Sequence, residues 1–194
     1  VEKITPTQDA EDYMIGMAEK AQDDIGNQTE LKNLDIVHYQ FWTQIIDAMN
    51  RTQSTLYQNK SPGVNHWLRA GSGVSGVGFH FAAARHYGRA EKPYGRAELY
   101  IGRRDKVENE FIFDQLLSQK DKIESAFGSS LEWERLEESQ ACRIKAETVG
   151  DVREREQWEA MIAFMTDAMC RLEAAIKNPL KEVGVQVKNG AVST

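Results

Sequence analysis

Between His66 and Lys106 the chain places Arg69, Arg85, Arg89, Lys92, Arg96, Arg103, Arg104 and Lys106 against three acids, a local charge of +5. Tyr87, Tyr94 and Tyr100 are interleaved with them. Guanidinium groups match phosphate oxygens in pairs, and aromatic rings stack on unpaired bases, so the combination has the chemistry of a nucleic-acid surface. Arg69, Arg85, Arg89, Lys92, Arg96, Arg103 and Arg104 are the candidate contacts. The competing reading is a solvated loop and strand edge, where long basic side chains discourage edge-to-edge aggregation.

Other constellations carry less. Gly71-Ser72-Gly73-Val74-Ser75-Gly76 matches the dinucleotide fingerprint letter for letter. That fingerprint needs a helix after it to hold the pyrophosphate, and the residues after Gly76 read as a strand, so a bent loop is expected instead. A nuclease centre needs acids clustered on adjacent strands to hold Mg²⁺. The Glu-x-Lys at Glu30-Leu31-Lys32 sits at a helix border, and Glu132 and Glu134 share a sheet face as solvated residues would. His80 and His86 have ligand spacing but no acid or cysteine nearby, and read as loop histidines. No catalytic residue, metal ligand or cofactor is assigned.

The rest of the chain is acidic. Residues 1–36 hold nine acids and three bases, and the whole chain carries a net charge of −6, so a positive surface, if there is one, is local. Cys142 and Cys170 are far apart and outside any Cys-x-x-Cys pair, which fits reduced thiols and a cytoplasmic protein. No apolar run approaches the roughly 18 residues of a membrane span. A start at Val1 with no signal peptide leads to the expectation of a piece of a longer polypeptide.

The elements that must position these side chains follow from periodicity. Thr5-Pro6-Thr7-Gln8 opens a weakly apolar, acidic helix that stops at Gly26-Asn27. A stronger helix spans about Ile36 to Gln58, with Tyr39, Trp42, Ile46, Met49 and Leu56 as its stripe. Period-two runs mark strands at His66–Arg69, Gly78–Ala82, Arg96–Ile101, Leu131–Leu136 and Ala141–Ala146. In Arg96–Ile101, Ala97, Leu99 and Ile101 point inward while Arg96, Glu98 and Tyr100 point out.

Asp105 and Glu108 frame a helix running to Gly128. Asp151 caps a last helix whose seam, Trp158 to Ile176, favours core packing over a coiled-coil dimer, and Asn178-Pro179 ends it. The residues beyond read as an unstructured end. The expected fold is α+β: one antiparallel sheet of four to five strands, helices packed on its apolar face, and an N-terminal helical arm. Residues 1–35 form the arm or linker, 36–178 the domain and 179–194 a tail.

Tyr39-Gln40-Phe41-Trp42, His66-Trp67-Leu68, Gly76-Val77-Gly78-Phe79-His80, Glu98-Leu99-Tyr100-Ile101, Phe113-Asp114-Gln115-Leu116, Lys120 through Glu124, Leu131 through Leu136 and Cys142-Arg143-Ile144 form an ordered set of blocks. Together they resemble the bacterial domain of unknown function numbered forty-two sixty-eight, over about residues 37–177. The resemblance implies a domain commonly placed C-terminal to a restriction-type nuclease-like module, with a role in DNA metabolism or defence, and it transfers no catalytic residue. The expected function is a non-catalytic accessory domain that binds nucleic acid through the basic rim or positions the upstream module. The alternatives are an interaction or homodimerisation domain using the Trp158–Ile176 seam or the acidic arm, and an uncharacterised enzyme.

Overall fold

A computed structural model describes residues 30, 32–84, 92–135 and 140–190. The helix expected between Thr5 and Gly26, and Arg85, His86, Tyr87 and Arg89, lie outside the described residues. Helix α1 covers residues 32–50 and buries Phe41, Trp42, Ile45, Ile46 and Met49. Tyr39, expected on that stripe, is half exposed at 50%. The chain turns after residue 50, so Tyr57 reaches the core from a loop and donates its hydroxyl to the Phe79 carbonyl at 3.0 Å.

Five strands form one antiparallel sheet: β1 (Trp67–Gly71), β2 (Val77–Ala84), β3 (Tyr94–Ile101), β4 (Glu132–Arg135) and β5 (Cys142–Val149), in the order β1-β2-β3-β5-β4. Val77, Phe79, Phe81 and Ala83 of β2 join Ala97, Leu99 and Ile101 of β3 and Cys142 and Ile144 of β5 in the core. The other parity of the same strands faces away. The fingerprint-like glycines form the β1–β2 turn and lead into a strand, as expected, with Gly76 at φ +73° where an L side chain is strained.

Between β3 and β4 the expected single helix is two, α2 (Lys106–Leu117) and α3 (Lys120–Phe127). Asp105 caps α2 by accepting from the Val107 N–H, but Glu108 turns to Arg103 rather than closing a capping box. The chain tightens at Gln119, whose N–H bonds to the Leu116 carbonyl, and restarts. Gly128 at φ +88° stops α3. The Glu124 carboxylate then accepts from both the Leu131 N–H and Trp133 Nε1, fixing β4 to α3 and holding the carboxyl below its usual range, chiefly through the Leu131 amide.

Helix α4 (Trp158–Lys188) follows a short 3₁₀ turn at Arg155–Gln157, and its N-cap is Gln157 rather than Asp151. Trp158, Met165, Met169, Leu172 and Ile176 are buried inside the chain's own core, so the seam is used internally. Gly95 lets α4 approach β3 closely; a Cβ there would sit 2.7 Å from Met165 Sδ. The helix does not end at Asn178-Pro179. It runs 31 residues through Pro179 because Pro179, Leu180, Val183 and Gly184 are all buried, and that packing outweighs the missing N–H.

Candidate functional site

The sheet face away from the helices carries charge in register. Cross-strand pairing lines up Arg69, His80, Glu98 and Lys145, with Glu132 beyond on β4. Arg96 and Glu98 were expected to point out, yet Glu98 is 4% exposed and Arg96 6%, and Lys145 is buried with them at 8%. Glu98 sits between Arg96 Nε at 2.8 Å and Arg143 Nε at 3.8 Å. Lys145 Nζ reaches Glu134 at 2.9 Å, Glu147 at 3.2 Å and Glu132 at 3.3 Å. The burial is greatest at Glu98 and Arg96, while the outer acids stay more open, the Glu132 side chain at 63% and Glu134 at 31%.

Attraction here is not the same as hydrogen bonding. Arg96 Nε, Glu98 Oε2 and Arg143 Nε are buried without a hydrogen bond of acceptable geometry, although Arg96 Nε lies 2.8 Å from Glu98; Arg143 Nε is farther, 3.8 Å from Glu98. The N–H vectors miss the oxygen, so the contact is coulombic and its desolvation only partly offset. Burial pushes the Glu98 carboxyl up, against the pull of Arg96 and Arg143. The His80 imidazole, 3.9 Å from Glu98, is lowered to about 4 by burial and by Arg69, Arg96 and Arg143, and is neutral at pH 7. Partial burial works to lower Lys145, but the Glu134 hydrogen bond and the charges of Glu147, Glu134 and Glu132 prevail and raise it.

An aromatic row crosses the same face. The Trp67 and His80 rings stack at 6.3 Å with planes 24° apart, and His80 and Tyr100 at 5.0 Å and 18°. The Tyr100 ring lies over Gly102, where any Cβ would collide with it. Trp67 at the other end is 41% exposed on edge strand β1. At the opposite end of β3, Arg96 lies over the Tyr94 ring at 4.6 Å.

A cleft of about 1190 Å³ opens where β3 begins and β5 ends. Lys92, Arg96, Arg143, Lys145 and Arg153 line it, and Asp35, Glu134, Glu147 and Asp151 nearly balance them. His38 and His66 close the side under α1. Burial lowers His38, whose Nε2 lies 3.3 Å from the Ala83 carbonyl. Such a mixed lining suits a ligand with several hydrogen-bonding edges better than a bare anion. Among the described residues, no three His, Cys, Asp or Glu side chains are grouped to hold a metal ion.

The predicted rim is therefore divided. Arg69 is exposed beside the aromatic row, while Lys92 and Arg96 line the cleft, Arg96 being buried and ion-paired. Arg103 is engaged by Glu108 and by the Ser75 carbonyl, and Arg104 is exposed in the loop after β3. Arg85 and Arg89 lie outside the described residues. Sequence reasoning did not single out Trp67, Glu98, Arg143 or Lys145. Strand parity held the signal, because it puts Arg143 and Lys145 on the face of Glu98, Glu132 and Glu134.

One apolar, helix-covered sheet face and one charged face define an α+β domain of two layers. More narrowly, the chain belongs to the family described as Domain of unknown function (DUF4268), whose model matches residues 37–180, from within α1 to within α4. No curated protein and no solved structure matches the chain. Among the described residues no helix is long and apolar enough to cross a membrane.

Proposed function

We propose that this domain is a non-catalytic accessory unit that contacts nucleic acid through the charged face of its sheet and serves an upstream nuclease-like module. The observation that carries this reading is Arg69, exposed and without an ion-pair partner among the described residues, beside the exposed ring of Trp67 on the face opposite the helices. Phosphate recognition needs an uncommitted cation, and base recognition needs an accessible ring. Lys92 at the cleft and Arg104 after β3 extend the cationic contacts. The engaged cations, Arg96, Arg143 and Lys145, shape the surface rather than supply free charge.

Binding of DNA and RNA oligonucleotides at graded salt tests the reading. Two to four phosphate contacts give a log affinity falling with log salt at a slope of about −1.5 to −3.5. Arg69→Glu with Lys92→Glu, both at exposed sites, weakens binding with the circular dichroism unchanged. Absence of binding in the parent, or affinity unmoved by the double reversal, rejects it. The nuclease-like partner is supported by the family resemblance. The coding sequence upstream of residue 1 checks it: a module with strand acids clustered as metal ligands supports it, and any other content removes it.

A further inference from the structure

The three rings on the charged face form a short stack with one closed end and one open end. Tyr100 closes it, its ring lying over Gly102, where a Cβ would collide with Tyr100 Cε1. His80 sits in the middle, 6.3 Å from Trp67 and 5.0 Å from Tyr100. Its lowered pKa of about 4 keeps this ring uncharged at neutral pH. Trp67 is the open end: it lies on edge strand β1 and is 41% exposed, where Trp42 and Trp158 are 0% and 4%. Arg69 follows two residues later on the same strand, hence on the same face, opposite His80 in the register.

An exposed indole at the end of a stack can accept one more flat ring, and a neighbouring arginine suits the negative group that such a ring would carry. We infer, granting the nucleic-acid reading above, that the ligand is single-stranded, with an unpaired base continuing the stack on Trp67 and Arg69 holding the adjoining phosphate. A duplex offers a free base face only at its two ends, because its internal base faces are occupied by its own stacking. The site therefore selects strands by availability of a base face and is tolerant of sequence. Its reach is short. One base is held by the protein stack, and neighbouring nucleotides are held by charge.

Fluorescence anisotropy with a short mixed-sequence strand, its duplex, and the same strand carrying abasic sites separates the possibilities. The single strand is expected to bind more tightly than the duplex and to quench tryptophan emission. Removing the bases lowers affinity by about 5- to 150-fold, the range of one base–aromatic stack. Trp67→Ala causes the same loss on the single strand and none on the duplex, and Trp67→Phe restores most of it. An abasic strand that binds like its parent overturns the stack while leaving phosphate recognition intact. Equal affinity for strand and duplex does the same. If no oligonucleotide binds, the nucleic-acid reading fails and this inference with it. Should Trp67→Ala not fold, the abasic strand and Trp67→Phe still decide.

Discussion

Arg96 Nε lies 2.8 Å from Glu98 Oε2, two residues along one strand, and both side chains are more than nine-tenths buried on the face opposite the helices. Arg143 approaches the same carboxylate from β5. On the sheet face opposite its apolar side, charged side chains are thus buried against one another. Removing one member of such a group strands the others. Glu98→Gln is expected to destabilise the domain by about 3 kcal/mol, because it removes the carboxylate that Arg96 and Arg143 share and leaves them only the outer acids Glu147 and Glu134. Replacing Arg96 and Glu98 together with Met and Leu should cost less than Glu98→Gln alone. Urea denaturation of the variants measures both, and a Glu98→Gln loss below 1 kcal/mol would show the pair to be incidental.

The His80 imidazole predicts a pH dependence with a defined sign. Its folded pKa, about 4, lies below the ordinary 6.5, so the unfolded chain holds the extra proton between those values. Stability from this group is complete above about pH 6.5 and is lost as the pH falls towards 4. The displacement corresponds to roughly 3 kcal/mol. Glu98, raised by burial, contributes the opposite slope just above its ordinary 4.5 and blunts the total. The difference between the parent and His80→Gln across pH 4–7 isolates the histidine. Its ring resonances in NMR should titrate near 4, and a midpoint above 6 rejects the account.

Asn109 is fully buried at the start of α2 and makes three hydrogen bonds. Oδ1 accepts from the Arg103 N–H at 2.7 Å, and Nδ2 donates to the Arg103 carbonyl at 3.0 Å and the Gln140 carbonyl at 2.6 Å. Asn109→Leu keeps the volume and leaves three backbone groups without partners. A loss of about 3 kcal/mol is expected, with faster amide exchange at Arg103. Exchange at Arg103 unchanged from the parent would mean that water replaces the side chain.

Two substitutions on α4 separate core from surface. Met165 is fully buried and Val185 is 51% exposed. Met165→Asp places an unpaired charge in the core and should prevent folding, giving an expanded or aggregated species in light scattering. Val185→Asp should alter stability by no more than about 0.5 kcal/mol. A folded, monomeric Met165→Asp would show that the seam faces a partner after all.

Much of the architecture was legible because one property decides it locally. Alternation in Arg96–Ile101 fixed which face of β3 is apolar, and Asp105 and Gly128 marked where the helical segment begins and ends. Misreadings arose where distant packing overrides local preference. Pro179 looked like a stop until Leu180 and Val183 were seen buried beyond it. The segment from Val183 to Val187, read as an unstructured end, continues the helix and buries Val183. The site was less legible still. Arginine density suggested a rim, but whether an arginine is free depends on the acids folded against it, Glu147 set beside Arg96 by strand register and Glu108 turned back to Arg103 from α2. Trp67 looked like any strand aromatic, and its value as an open ring depends on being at the edge.

Gly184, near the end of α4, lies against Val74 in the β1–β2 turn so closely that a Cβ would come within 2.7 Å of Val74 Cγ2. The two positions are 110 residues apart, 184 minus 74. On a ribosome, then, the first hairpin emerges long before the segment that rests on its turn. Contacts across such separations are slow to form, so the hairpin must wait without α4 against its turn, and synthesis through α4 sets the earliest moment at which the domain can lock.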